Sequence, residues 1–233
     1  MKKNFKDILI TGATGDIAQA LVKLLAEDKD VRLHLLSRDL QKLEQLYGGL
    51  PNACFYQEGV SPLPEVDILV NNAGTAVFEA FEELTMDDIE AMFEVNSLLA
   101  IRHIKESRPR IQIVNIASIA GKLPTAKSTA YSASKAALIA FSDALRMERP
   151  DLIITTVNTG PVRTKFHADN PAYLERVGSY VLTADEIAVK IYKQLGRQKA
   201  ELNLPWQLAL LVKLRGLFPR IFDGVSLRFF NYK

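Results

Sequence analysis

With 233 residues, 48% of them hydrophobic, the chain suits one α/β domain with a full core rather than two domains. A formal charge of +2, without a basic run carrying interleaved aromatics, excludes a dedicated nucleic-acid binder. Its one cysteine, Cys54, rules out an internal disulfide and is expected as a packed strand residue in a reducing compartment.

Met1 to Asp7 lead almost at once into the first apolar strand, which leaves no room for a secretory segment, and the cytoplasm is the expected location. Asp7-Ile8-Leu9-Ile10 then runs into Thr11-Gly12-Ala13-Thr14-Gly15-Asp16-Ile17-Ala18, followed by Leu21, Leu24 and Leu25 at helical spacing. Strand, glycine-containing turn and helix N-terminus bring backbone N–H groups and a positive dipole end against a diphosphate. Gly12, Thr14, Asp16 and Ile17 are therefore candidate dinucleotide contacts, although a plain strand-to-helix turn would read the same way.

The second strand, Val31 to Leu36, continues as Ser37-Arg38-Asp39. A carboxylate at this strand end accepts from the ribose 2'-hydroxyl of NAD, whereas an arginine nearby accommodates the 2'-phosphate of NADP. Ser37 occupies the usual acidic position and Arg38 follows, so NADP is expected and NAD less so; Asp39 sits two residues late. Between the third and fourth strands only Glu58 to Glu65 remain, with Pro62 and Pro64, too few residues for a full helix.

The fourth strand, Val66 to Val70, ends in Asn71-Asn72-Ala73-Gly74, and the fifth, Ile111 to Ala117, ends at Ser118. In an open parallel sheet, ligands sit beyond the carboxyl ends of the strands, where these residues fall. The helix expected over Thr129–Glu148 carries Tyr131 and Lys135 at i,i+4, on one face. A cation at ~5 Å in an effective dielectric of ~20 is worth roughly 3 kcal/mol, enough to bring a phenol about two pKa units toward neutrality. That pair is a candidate general acid/base for carbonyl chemistry. His34, His103 and His167 show no ligand spacing, so no metal site is expected.

Taken in order, Thr11-Gly12, Asn71-Asn72-Ala73-Gly74, Asn96 within Phe93-Glu94-Val95-Asn96, Ser118, Tyr131, Lys135 and Gly160-Pro161-Val162-Arg163-Thr164 resemble the short-chain dehydrogenase/reductase family. The resemblance spans about residues 5 to 205 and implies a single-domain, Rossmann-like, doubly wound parallel seven-stranded sheet. Strands are expected near 6–11, 31–37, 53–57, 66–71, 110–116, 152–158 and 199–204. It also implies an NADP-dependent hydride transfer between carbonyl and alcohol. Tyr131 would exchange the proton, Ser118 would orient the substrate oxygen, and Asn96 would hold a relay water. Lys135 would hold the nicotinamide ribose and lower the Tyr131 pKa. Asn72, Ala73 and Gly74 would line the adenosine and ribose side, and Val162 and Thr164 the nicotinamide carboxamide.

The departures from the family are informative. Asp16 and Ala18 stand where further glycines are usual, Gly59 replaces an aspartate near the adenine, and Thr159 replaces a proline before Gly160. A catalytically silent nucleotide sensor on the same fold is therefore an alternative, opposed by the intact Ser118, Tyr131, Lys135 and Asn96. The helices near Thr85–Glu106 and Thr129–Glu148 match the pair through which family members dimerise, with Met92, Leu98, Leu138 and Phe141 as contact or core residues.

The loop from Lys165 to Leu182, with Phe166, Tyr173 and Tyr180, reads as a partly apolar lid. Residues 206–233 form an apolar, basic helical extension whose five basic residues, Lys213, Arg215, Arg220, Arg228 and Lys233, face only Asp223, a local charge of +4. Such a segment packs on the domain, caps a cleft, meets a partner subunit or lies on an anionic bilayer, the last implying a membrane-surface reductase of lipid-like carbonyls.

Overall fold

A computed structural model describes residues 5–167, 175 and 178–219. Seven parallel strands form one sheet: β1 (Asp7–Thr11), β2 (Arg32–Ser37), β3 (Ala53–Gln57), β4 (Ile68–Asn71), β5 (Gln112–Ile116), β6 (Ile153–Thr159) and β9 (Glu201–Leu204). Their spatial order is β3-β2-β1-β4-β5-β6-β9, all seven within a residue or two of the ranges expected from sequence. A short parallel pair, β7 (Val162–Arg163) with β8 (Leu182–Thr183), lies outside the sheet and was not anticipated.

The chain winds outward from β1 to β3, then returns across β1 to add β4, so the winding reverses between β1 and β4. Ile8, Leu9 and Ile10 pair there with Ile68, Leu69 and Val70, all completely buried. Strand alternation divides these residues between two faces. On one side, Ile8, Ile10, Leu33 and Leu35 pack with Leu21 and Leu25 of α1 (Asp16–Leu25) and with Leu43 of α2 (Leu40–Tyr47). Ile187 and Ile191 of α6 (Ala184–Tyr192) complete that core. Leu9, Leu36 and Leu69 face the opposite layer, where Ile104 covers them.

That second layer consists of α3 (Met86–Phe93), α4 (Leu99–Ser107) and α5 (Thr129–Glu148). The helix expected over Thr85–Glu106 is interrupted by a π-helical turn, Glu94–Leu98, which carries Asn96. Thr85 starts α3 by accepting from the Asp88 N–H, while Asp88 reaches back to the Thr85 N–H. Met92 and Leu138 belong to the core, whereas Leu98 is exposed.

No helix fills the link between β3 and β4, as the prolines there imply. That shortening corrects the reading of Cys54, which is exposed rather than packed, because it lies on an edge strand beside the missing helix. Beyond β9, α7 (Trp206–Leu217) lays Leu208 against Ile119 and Leu123. Tyr173, Arg220, Ile221, Phe222, Asp223, Arg228 and Lys233 lie outside the described residues.

Gly121 ends the 3-10 turn Ile119–Gly121, which packs on α5. A Cβ at this position would lie 2.8 Å from Ile139 Cδ1 and 2.9 Å from both the Ala136 nitrogen and the Lys135 carbonyl carbon. Two of those neighbours are helical backbone and cannot turn aside. Gly121→Ala is expected to lower unfolding free energy by about 1–3 kcal/mol, read from the urea midpoint. An unchanged midpoint would mean that the turn and α5 separate freely.

Candidate active site

One cavity of about 530 Å³ lies beyond the carboxyl ends of the strands. Its lining includes Gly12, Thr14, Asp16, Ile17, Ser37, Arg38, Asn72, Ala73, Gly74, Ser118, Tyr131, Lys135, Val162 and Thr164. Fourteen of the fifteen residues singled out in the sequence thus share one space, the exception being Asn96. The volume lies within the range of small-molecule and cofactor sites.

The nucleotide end is built by the β1 and β4 termini together. Gly12 has φ of 58°, and a Cβ there would stand 2.8 Å from Ala73 Cα, so the close approach of the two loops requires glycine. Thr11 Oγ1 accepts from the N–H groups of Asn72 and Ala73 at 3.2 and 3.3 Å. Asn72 Nδ2 donates to the Thr11 and Gly12 carbonyls, and Tyr47 donates to the Ala13 carbonyl at 2.7 Å. The turn is thereby fixed from three sides. α1 begins at Gly15 without a side-chain cap, leaving its first-turn N–H groups as the donor set a diphosphate needs. These residues fit a dinucleotide.

Asp16, a candidate dinucleotide contact in the sequence, is engaged through its side chain. Its Oδ2 accepts from the Lys165 N–H at 2.7 Å, so the carboxylate pins the segment after β7 to the start of α1. Ser37 Oγ lies 3.4 Å from Thr14 Oγ1 and accepts from the Asp39 N–H. Asp39 Oδ1 is engaged as the N-cap of α2, accepting from the Lys42 N–H at 2.9 Å. Lys42 joins Arg38 in the lining at this end.

Glu58 also lines this end and was missed in the sequence. Its position directly after β3, at a strand's carboxyl end, was the available signal. Both carboxylate oxygens meet His103 Nε2, at 3.0 and 3.1 Å. His103 Nδ1 faces Asn71 Oδ1 at 3.4 Å, and Asn71 donates to Asn115, which donates to Ser142. A buried polar chain therefore runs beneath the cavity from β3 to α5. Among the described residues no group of three or more His, Cys, Asp or Glu could hold a metal ion.

At the other end Tyr131 is walled by the rings of Phe78 and Phe166, with centroids at 5.3 and 6.1 Å. Burial pushes its phenol up to about 12, against a smaller opposing effect of the nearby Ser118 hydroxyl. Lys135 is driven the other way, down to about 8, by burial. The expectation that Lys135 lowers the Tyr131 pKa is corrected here. Desolvation dominates both groups, and Lys135 Nζ is turned to the Ile116 carbonyl at 3.0 Å.

Asn96 stands behind this end. Its Oδ1 accepts from the Thr75 N–H at 2.9 Å, and its Nδ2 donates to the Thr75 carbonyl and to Ser134 Oγ. The amide therefore staples the loop after β4 to α5 rather than projecting into the cavity. Phe78 and Leu123, also absent from the sequence reading, add apolar wall.

Residues 52–173 match the family model described as short chain dehydrogenase. The chain belongs to the short-chain dehydrogenase/reductase family. It is 29% identical over 259 residues to the "11-beta-hydroxysteroid dehydrogenase-like 3" of Arabidopsis thaliana, covering 97% of this chain and 82% of that protein. It is 30% identical over 230 residues to the "NADP-dependent 3-hydroxy acid dehydrogenase" of Schizosaccharomyces pombe, covering 83% and 88%. A solved alcohol dehydrogenase from Thermococcus sibiricus, complexed with 5-hydroxy-NADP, superposes with a TM-score of 0.75 at 25% identity, covering 85% of this chain and 95% of that one. Like other short-chain dehydrogenases, this protein is a nicotinamide-dependent oxidoreductase acting on the CH–OH/C=O couple.

Burial of Lys135 has a measurable signature. The ammonium is charged below about pH 8 in the folded chain but up to its ordinary 10.5 when unfolded, so the unfolded state binds more protons between these values. Stability then rises with pH across that window. Lys135→Met should remove this slope and, at pH 7, stabilise the fold by about 3 kcal/mol, roughly 2.5 pKa units of relieved charge burial. Equal slopes in wild type and variant, from melting temperature against pH, would refute it.

Proposed function

We propose that the protein is an NADPH-dependent carbonyl reductase, with Tyr131 as proton donor. The observation that carries this reading is that Ser118, Tyr131 and Lys135 meet in the desolvated wall of the same cavity that presents Arg38 and Lys42 at its far end.

When bound, NADPH supplies the hydride to the carbonyl carbon. Tyr131, kept protonated by burial, gives its proton to the substrate oxygen as negative charge develops there. The Ser118 hydroxyl donates a hydrogen bond to that oxygen and fixes its position. Lys135, still mostly protonated at neutral pH, stands one helical turn from Tyr131 and would hold the nicotinamide ribose. In the oxidative direction the proton moves the opposite way. Gly12, Thr14, Asp16 and Ile17 would hold the diphosphate through the α1 terminus. Asn72, Ala73 and Gly74 would hold the adenosine and ribose side, and Val162 and Thr164 the carboxamide.

Preference for NADP rests on Ser37, Arg38 and Lys42, which offer a hydroxyl and two cations to a 2'-phosphate. The nearest carboxylate in sequence, Asp39, is engaged as a helix cap. The NADP-dependent yeast relative and the Thermococcus enzyme complexed with 5-hydroxy-NADP support the same choice. Self-association through the Glu94–Leu98 turn, α4 and α5 belongs to this reading, since Leu98 and Met147 stay exposed there.

Tyr131→Phe should cut NADPH-dependent reduction of a carbonyl panel by about 10²-fold or more while leaving NADPH binding nearly unchanged, because only the proton donor is lost. Retained turnover would defeat the mechanism. Replacing Ser37-Arg38 by Asp-Leu should raise the KM for NADPH about tenfold or more and improve use of NADH, since a carboxylate repels the phosphate and accepts from a free hydroxyl. An unchanged ratio of kcat/KM for the two cofactors would exclude the assignment.

A further inference from the structure

The helix α7 is apolar on two opposite sides. Leu208, Leu211 and Val212 pack inward with Ile119 and Leu123. Trp206, Leu210, Leu214 and Leu217 recur at i, i+4, i+8 and i+11, a single stripe, and are exposed at 71%, 55%, 41% and 71%. Phe218 continues it at 56%. Five large apolar side chains in contiguous exposure are unusual for a protein surface that meets only water.

Among the described residues the stripe is about 18 Å long and one helix wide. Charge narrows the choice of occupant. The sequence from Trp206 to Lys233 carries five basic residues against one acid; within α7, which has no acid, helical spacing sets Lys213 beside the stripe while Arg215 donates to the Lys122 carbonyl at 3.1 Å. In a two-fold contact between copies the same stripe meets itself, setting the Lys213 of one copy against that of the other with no acid in either helix. An anionic, deformable apolar surface matches both properties. Among the described residues no helix is long and apolar enough to cross a membrane, so the contact is interfacial.

We propose that the outer face of α7 docks on an anionic lipid surface, from which apolar carbonyl compounds reach the adjoining cavity. The substrate half of this inference rests on the carbonyl-reductase reading. Leu208 on the inner face of α7 touches Leu123, which itself lines the cavity near Tyr131, Phe78 and Phe166. One layer of side chains therefore separates the lipid-facing helix from the apolar end of the site.

The test is flotation of the full chain with phosphatidylcholine vesicles, with and without phosphatidylserine, alongside NADPH oxidation with a water-soluble carbonyl and with a long-chain aldehyde held in the vesicles. Wild type should float with the phosphatidylserine vesicles. A Leu210→Glu/Leu217→Glu variant, altered only on the outer stripe, should melt at the same temperature and bind about tenfold more weakly. It should reduce the soluble carbonyl normally and lose rate on the vesicle-borne aldehyde. Absence of flotation by wild type, undiminished flotation by a folded variant, or a change of oligomeric state in the variant without lipid would overturn the lipid face. Flotation without reduction of either carbonyl would leave that face standing and refute the reductase reading instead.

Discussion

The parallel pairing of β1 with β4 is the constraint on which the rest of the molecule depends. Because the chain reverses its winding there, the two loops leaving these strands diverge to opposite faces and leave a crevice between them. Thr11, Gly12 and Asn72 then join the loops by hydrogen bonds and by an approach too close for any Cβ. Every other contribution to the cavity is delivered to this crevice: Ser37 and Glu58 by the strands to one side, Ser118 and Val162 by those to the other. The apolar residues of the central strands hold the crevice rigid from below.

The reacting end is a place where the fold accepts instability. Water would solvate a phenolate and an ammonium well, yet both Tyr131 and Lys135 are buried, and each pKa moves toward the neutral form. Burial keeps the tyrosine protonated and brings the lysine close to its own titration, so a small change in nearby charge suffices to shift the lysine proton. The same low dielectric that makes the pair costly strengthens any interaction that forms during reaction. Phe78 and Phe166, rather than a charged partner, create that environment.

How much of this was legible follows from the range of the forces involved. Strand positions could be read because continuous apolar runs have no other stable use in a doubly wound sheet, and the site residues because they fall at strand ends. Signs of pKa shifts could not. The i,i+4 spacing of Tyr131 and Lys135 gives their separation but says nothing of desolvation, which comes from rings distant in sequence. Likewise the engagement of Asp16 could not be read, because its partner, the N–H of Lys165, lies 149 residues away. Glu58 and His103 each looked unremarkable in sequence, 45 positions apart, until the topology set them side by side. Cys54 misled because its exposure depends on a helix that the chain lacks.

The π-helical turn at Glu94–Leu98 ties these observations together. A π turn accommodates one residue more than the regular helix and so advances the angular phase of everything after it by about 100°. With the extra residue, Asn96 and Ser97 both turn inward to Ser134, and His103, two turns further on, arrives beneath Glu58 and Asn71. A one-residue deletion here would give a more regular helix, yet it would swing that imidazole out of the polar chain and bring a different side of α4 against the sheet. The segment is thus intolerant of length change in a way that substitutions alone would not reveal, and its irregularity acts as the phase setting of α4.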